Sequence, residues 1–419
     1  MMHIKSGKHL SKLTEIQTIP DADVFYIPLK SYQTVLSPLV KVGDEVLENQ
    51  MLAEDDKHFA APVHSPVSGK VLSIEEIEGT GKCIVIENDF SKRAVSATDQ
   101  NFSEDVQDWP ELLYNAGISG SGGAQFPTHI KYKTGGKSIE TFILNGAECE
   151  PYLTADYALM RTQAYVLVKA AVLLNKMFNA SKIVIAIERQ NKELKSVFKE
   201  YIRDYADLIK IKLLPNTYPQ GGELQLIKSV TKKELPKGAI PINYGIVVSN
   251  VATVWAAYHA LVNKQPLVER IITVAGENKR HIGNFRVKIG TPVGHIKQFI
   301  DAENILSDMQ MVLGGPMMGK RTDFDETPIE KGTGGFLNFK DRSDHKENCI
   351  QCGYCVDVCP QRLMPMEFVR YQHQNDIAQL KAHALTDCIE CGACEYICPS
   401  NLPLLQSIKD GKQALYGAI

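Results

Sequence analysis

The chain has 419 residues, 44% of them hydrophobic and 23% charged, with a formal net charge of −3. Such a composition is that of ordinary globular protein with room for about two to four cores. It excludes a nucleic-acid surface built on bulk basic charge. No stretch approaches the ~18 uninterrupted apolar residues of a membrane span, so no transmembrane segment is expected. The N-terminus lacks the charged and apolar regions of a signal peptide. Ten Cys in so long a chain fit a reducing compartment. A cytoplasmic protein, or one docked on the cytoplasmic face of a membrane assembly, is therefore expected.

Residues 1–105 read as strands. Val40-Lys41-Val42-Gly43-Asp44-Glu45-Val46 and Ser65-Pro66-Val67-Ser68-Gly69-Lys70-Val71 alternate apolar and polar residues around turn pairs. These hairpins resemble the barrel-sandwich hybrid of biotinyl and lipoyl domains. Glu54-Asp55-Asp56-Lys57 is similar to a lipoylated turn but out of register, so Lys57 reads as a solvated loop residue. Cys83, in Cys83-Ile84-Val85-Ile86, reads as part of a buried strand.

Residues 106–265 alternate helical and strand-like segments. Ile183 to Ile187 and Gly245 to Val248 are short β-branched runs suited to parallel strands covered on both faces. Ala164 to Phe178 and Lys192 to Tyr205 suit the helices between them, giving an α/β layer. Residues 266–325 read as a small α+β domain with strands over Arg270–Val274 and Asn284–Ile289. The polar, Gly-rich stretch from Asp323 to Asn348 reads as a linker.

Three loops of the α/β region hold candidate ligand groups. The first is Gly117-Ile118-Ser119-Gly120-Ser121-Gly122-Gly123-Ala124-Gln125-Phe126-Pro127-Thr128. Its glycines allow backbone N–H groups to converge into an anion nest, and Lys131 lies just beyond. It is not the G-x-G-x-x-G dinucleotide fingerprint, because Gln125 takes the third position and a helix, not a strand, precedes it. The second, Ile143-Leu144-Asn145-Gly146-Ala147-Glu148-Cys149-Glu150, puts Asn145, Glu148 and Glu150 at the C-terminal end of a strand, where open α/β sheets bind ligands. The third, Tyr218-Pro219-Gln220-Gly221-Gly222-Glu223, adds an aromatic ring and a carboxylate. A phosphate nest with acceptors for ribityl and ribose hydroxyls points to FMN, with room for a nicotinamide nucleotide.

Two cysteine runs close the chain: Cys349, Cys352, Cys355, Cys359-Pro360, and Cys388, Cys391, Cys394, Cys398-Pro399. Each has the spacing of an iron–sulfur cradle. In paired clusters the fourth Cys of each run serves the other cluster. That rule groups Cys349, Cys352, Cys355 and Cys398 around one cluster, and Cys388, Cys391, Cys394 and Cys359 around the other. Zinc is the competing reading, but it needs four ligands from two C-x2-C pairs, whereas each run here supplies four alone. Between the runs, Phe368, Tyr371, Ile377 and Leu380 recur at helical spacing, so a helical two-cluster domain is expected. Nicotinamide exchanges two electrons as a hydride, clusters exchange one at a time, and a flavin does both.

The motifs G-x-G-G-A-x-F-P-T-x-x-K, N-G-A-E-C-E-P-Y-L-T-A-D, Y-P-Q-G-G-E, G-G-P-M-M-G, K-G-T-x-G and the two Cys runs occur in that order. Together they resemble the RnfC/RsxC family of the Rnf/Rsx electron-transport complex, from roughly residue 25 to 405. The glycine loop and the Glu-containing loops are also similar to the NADH-oxidising flavoprotein subunit of respiratory complex I.

The resemblance implies a multidomain α/β and α+β architecture. Its parts are a barrel-sandwich hybrid (1–105), a Rossmann-like FMN- and NAD(H)-binding domain (106–265), a small β-grasp-like SLBB domain (266–325) and a helical double [4Fe-4S] ferredoxin domain (326–419). It implies a peripheral subunit that exchanges electrons between NAD(H), non-covalent FMN and two [4Fe-4S] clusters, docked on the membrane subunits of an ion-translocating complex. Carried over by position, Gly120, Gly122 and Gly123 approach FMN, Phe126 stacks on the nicotinamide and Lys131 meets the FMN phosphate. Asn145 binds the ribityl chain, Glu148 and Glu150 lie by the flavin and the nicotinamide ribose, and Tyr218 and Glu223 complete the nucleotide site. Hydride transfer itself needs no general acid or base, and none is assigned. The alternatives are a stand-alone relative that feeds a soluble reductase of the cobalamin or proline type, and an iron–sulfur carrier without nucleotide binding. Departures from the family pattern are Gln125 for Gly, Ala147 for the Asp of complex I, Gly222 for a second Glu, Gly334 for Asn, and Ser31-Tyr32-Gln33-Thr34-Val35-Leu36 for Q-H-I-G-A-P.

Overall fold

The computed structural model describes residues 6–95, 105–236, 238–277, 281–301, 309–340 and 347–417. Residues 96–104, at the expected end of the first domain, and 341–346, within the expected linker, lie outside the described residues.

Two small sheets face each other in the N-terminal domain. One runs in the order Val24–Pro28, Gly81–Asn88, Gly69–Ile77, Glu45–Val46, and the other Ser37–Pro38, Met51–Glu54, Val63–His64. Antiparallel register sets Ile84 opposite Ile27 and Ile86 opposite Phe25, and all four point into one core with Leu52 and Val71. Strand alternation places these side chains on the inner face, and each full burial contributes about 2 kcal/mol. Cys83 lies buried within this strand, as expected.

The α/β domain is built on a four-stranded parallel sheet in the order Ile209–Leu214, Lys182–Glu188, Thr141–Gly146, Ile246–Asn250. Successive residues feed opposite cores. Phe142, Leu144, Ile183 and Ile185 pack beneath the helices Ala164–Phe178 and Val251–Asn263. Ile143, Ala186 and Val248 pack on the other face with Leu226 and Ile227. The chain enters at Thr141–Gly146, winds outward through two strands, then returns to the opposite side at Ile246–Asn250. The reversal leaves a crevice between the C-terminal ends of Thr141–Gly146 and the edge strand Ile246–Asn250, where Asn145 and Asn250 are register partners.

The third domain is larger than expected. Its six-stranded sheet runs Ile16–Thr18, Gly283–Lys288, Glu269–Gly276, Gly335–Lys340, Met309–Leu313, Lys320–Thr322. Gly335–Lys340, expected to be linker, is an interior strand paired on both edges. Glycines at its start hid a strand whose Phe336 and Leu337 are fully buried. Ile16–Thr18 also belongs to this sheet and not to the barrel.

The cysteine domain is helical: Tyr354–Asp357, Pro365–His373, Ile377–Ala382, Ala393–Tyr396 and Leu404–Gly417 surround Phe368, Leu380, Leu385 and Ile408. The two Cys runs share one backbone path. Gln351 and Glu390 are left-handed (φ 56 and 53), and so are Gly353 and Gly392 (φ 79 and 71), each of which precedes a one-turn helix. Among the described residues no single helix is long and apolar enough to cross a membrane.

Gly392 also lies against the third domain, where a Cβ would land on the Met317 carbonyl oxygen. Gly392→Ala therefore combines left-handed strain with a backbone collision and is expected to cost about 2 kcal/mol or more. Limited proteolysis should show the cysteine domain released earlier than in the unaltered chain, while Gly353→Ala, with open space around it, should not accelerate release.

Candidate functional site

The glycine loop is a closed hairpin standing at the crevice. Gly120 N–H donates to the Phe126 carbonyl at 2.9 Å, and Thr128 N–H to Ile118 at 3.1 Å. Gly122 lies 3.7 Å (from its would-be Cβ) from the Asn250 side chain, and Ser121 N–H donates to Thr253 Oγ1 at the start of Val251–Asn263. Gly122, Gly123 and Ala124 at the tip are exposed, and Gly123 (φ 104) has open space where a side chain would be.

Two buried cations hold the hairpin from behind. Lys331 Nζ donates to the carbonyls of Gly117, at 2.7 Å, and of Pro62 in the barrel. Arg270 bonds the carbonyls of Lys331 and Ser121. Burial pushes the Lys331 ammonium down to about 7 and the Arg270 guanidinium down to about 10. His64, buried beside them, is pushed down to about 3 by burial and then by Lys331, so it is neutral. Gln125 has a left-handed backbone (φ 51), and its amide donates to Glu330 at 2.8 Å.

The remaining expected nucleotide groups divide. Asn145 sits in the crevice; its amide donates to Gly221 at 3.0 Å and its carbonyl accepts from Ala147 N–H, which joins two of the three loops. Lys131 and Glu223 come together as a half-exposed ion pair at 2.7 Å. Glu148 and Glu150 are placed differently from the expectation. Glu148 accepts from Asp156 and Tyr157 N–H and so caps the helix Ala155–Thr162. Glu150 accepts from Met317 and Met318 N–H at 3.1 and 2.9 Å, seating the Gly314–Gly319 loop of the third domain. Burial pushes both carboxyls up to about 7. Tyr218 is buried, and its hydroxyl donates to the Cys391 carbonyl, so its ring faces the cysteine domain and not an open nucleotide pocket. The crevice also holds groups that residue type and spacing did not reveal. Asn250 donates to Asp156 at 2.6 Å, and Lys8 bonds the carbonyls of Glu148 and Leu153. The signal for Lys331 was present in the K-G-T-x-G motif; isolated cations such as Lys8 and Arg270 had none.

The cysteines line two separate hollows. One is bordered by Cys349, Cys352, Cys355 and Cys398, the other by Cys359, Cys388, Cys391 and Cys394. The thiols influence one another within those sets. Burial and then Cys388 and Cys359 push Cys391 up to about 11, and Cys355 is raised by burial with contributions from Cys352 and Cys398. Among the described residues no group of three or more His, Cys, Asp or Glu is gathered as a single metal ion requires. Four thiols around an open hollow fit a cluster. The second cavity is the inner one: Cys391 and Cys394 are buried and lie beside Tyr218, Met317 and Cys149. Cys349 and Cys352 of the first are exposed.

Three stretches match described families: the RnfC barrel sandwich hybrid domain over residues 2–91, the Nuo51 FMN-binding domain over 113–259 and a 4Fe-4S dicluster domain over 348–402. The chain is 35% identical to the C subunit of the proton-translocating ferredoxin:NAD(+) oxidoreductase complex of Clostridium ljungdahlii, across 87% of this chain and 82% of that one. It is 33% identical to the C subunit of the ion-translocating oxidoreductase complex of Pasteurella multocida, across 99% of this chain and 51% of the relative. The chain thus spans about half the length of that relative, and 64% of the one from Haemophilus influenzae strain 86-028NP, which is 34% identical. An NAD+-reducing [NiFe]-hydrogenase in the H2-reduced state shares the fold, with a TM-score of 0.54 at 17% identity over 77% of this chain and 62% of that chain.

Lys331 has a signed pH signature. Its folded-state pKa of about 7 lies below the ordinary 10.5, so its contribution to stability is full above the unfolded value and is lost as pH falls through about 7. The thermal midpoint should therefore rise between pH 7 and pH 10 relative to Lys331→Met, which has no such group. Parallel midpoint curves across that window would show that Lys331 is not held in a depressed state.

Proposed function

The chain belongs to the RnfC family of ion-translocating oxidoreductase subunits, and on that premise we propose that it is the peripheral NAD(H)-facing subunit of a ferredoxin:NAD+ oxidoreductase complex, docked at the cytoplasmic face of the cell membrane. The family matches give it an FMN-binding domain and a 4Fe-4S dicluster domain. When bound, FMN exchanges a hydride with nicotinamide and single electrons with the clusters.

The chain's own residues supply the rest. The exposed glycine tip lets a ligand approach the backbone at the sheet's reversal point. Buried Arg270 puts positive charge behind that loop, which favours an anionic ligand in front of it, and Lys331 adds to that charge as pH falls through about 7. Lys131 ends the short helix Thr128–Lys131 that follows the loop and is the cation we assign to a phosphate, with Glu223 pairing its ammonium. Phe126, half-buried at the hairpin stem, offers the aromatic face for a nicotinamide.

The observation that carries the reading is the inequality of the two cysteine cavities. The buried set is joined to the FMN-binding domain through Tyr218 and to the third domain through Gly392 and Met317. The exposed set lies outward, with Ile350 and Tyr354 at the surface beside it. This supports Cys359, Cys388, Cys391 and Cys394 as the flavin-side ligands, and Cys349, Cys352, Cys355 and Cys398 as the partner-side ligands.

Anaerobic purification of the full chain followed by iron, sulfide and FMN analysis tests this. About eight iron atoms and one FMN are expected per chain, with flavin bleaching on addition of NADH; bound cofactors that do not respond to NADH would sink the proposal. Cysteine pairs test the ligand sets. Cys359→Ser with Cys391→Ser should lose about as much iron as either alone, whereas Cys359→Ser with Cys355→Ser should lose both clusters. The reverse pattern would reassign the fourth ligands.

A further inference from the structure

The turn Glu54-Asp55-Asp56-Lys57, out of register for a swinging arm, is used in another way. Asp55 accepts backbone N–H bonds from Lys57, Phe59 and Ala60, curling the turn and leaving His58 left-handed at φ 51. The turn is then fastened to the α/β domain. His58 stacks on Tyr114 at 4.6 Å, His129 Nε2 donates to the His58 carbonyl at 2.9 Å, and the Tyr114 hydroxyl donates to the Asp55 carbonyl at 3.3 Å. The short hairpin Lys30–Ser31 with Thr34–Val35 is held beside it by Ser31 Oγ, which donates to the Ala61 carbonyl.

These bonds bring two barrel rings against the glycine loop. Tyr32 lies 5.3 Å from Phe126 at 78°, Phe59 lies 6.4 Å from Phe126 at 85°, and Tyr32 lies 6.1 Å from Phe59. All three separations are within the range of aromatic contact, and both rings stand nearly perpendicular to Phe126. Tyr32 reaches its place with a left-handed backbone, φ 54, which L side chains seldom adopt. Tyr32 and Gln33 are the two turn residues of the short hairpin, and such turns use a left-handed first position.

We propose that the barrel-sandwich domain forms one wall of the nicotinamide-nucleotide site, with Tyr32 and Phe59 as positioning residues that hold the Phe126 ring. This rests on the reading of Phe126 as the nicotinamide platform. A ring on a loop of Gly120, Gly122 and Gly123 has a backbone with little intrinsic restraint. Two rings anchored in another domain supply that restraint and leave Phe126 only partly covered. The domain thereby contributes binding geometry without carrying a prosthetic arm.

The test uses the full, cofactor-loaded chain. Tyr32→Ala and Phe59→Ala should retain FMN and iron while the NADH KM, and the Kd for NAD+, rise about three- to ten-fold, the span that one aromatic contact supports; kcat with ferricyanide as acceptor should change less. Tyr32→Phe keeps the ring and should restore both values. In a Phe126→Ala background, Tyr32→Ala should add nothing, because the ring it positions is gone; additive losses would overturn the positioning role. Should Tyr32→Ala lose FMN or melt early, Phe59→Leu at a partly exposed ring decides, and unchanged nucleotide affinity there overturns the proposal. Failure of the underlying reading looks different: the unaltered chain would then show no NADH response at all.

Discussion

The grip of two buried cations on the glycine hairpin is the constraint from which the rest of the arrangement follows. A loop with Gly120, Gly122 and Gly123 has few side chains with which to hold itself, so its shape must be imposed from outside. Lys331 and Arg270 do this by donating to carbonyls on the loop's inner side, and Lys331 also reaches Pro62 in the barrel. A buried ammonium whose bonded partners are carbonyls is costly, and its depressed pKa expresses that cost. Three domains meet at this point, so the cost purchases a fixed relation among the barrel, the loop and the third domain's sheet.

Carboxylates act as joints in the same way. Glu148 and Glu150 flank Cys149 at a strand end, where residue type alone points to ligand hydroxyls. Burial changes that outcome. A desolvated carboxylate takes whatever N–H groups are nearest, and these are the helix start at Asp156 and Tyr157 for one and the Met317–Met318 backbone for the other. Glu150 thereby couples the crevice of the α/β domain to the loop that touches Gly392. The nucleotide side and the cluster side are connected through a few backbone-to-carboxylate bonds and the Tyr218 hydroxyl.

What was legible in the sequence was what is local. The parallel strands, the helix Ala164–Phe178 and the Cys runs declare themselves by β-branched runs, period and spacing. Gly335–Lys340 did not, because its glycines and polar flanks resemble a linker and its strand character comes from neighbours on both edges. Lys8 and Arg270 look like ordinary surface cations until the fold buries them. The contact of Tyr32 and Phe59 with Phe126 joins residues of separate domains, and no periodicity within one segment encodes that.

The cysteine domain shows the same limit most sharply. Its two runs are near-copies in residue type and backbone path, down to the left-handed Gln351 and Glu390. Nothing in either run says which cradle faces inward. That difference arises from docking: Gly392 admits the Met317 carbonyl where a side chain would block it, while the equivalent Gly353 meets open space. One local motif thus acquires two environments, one more buried and joined to the α/β and third domains, the other more exposed. Hydrogen bonding and solvent exposure tune cluster potentials, so the docking contact that breaks the symmetry of the repeat would also give two bound clusters unlike surroundings.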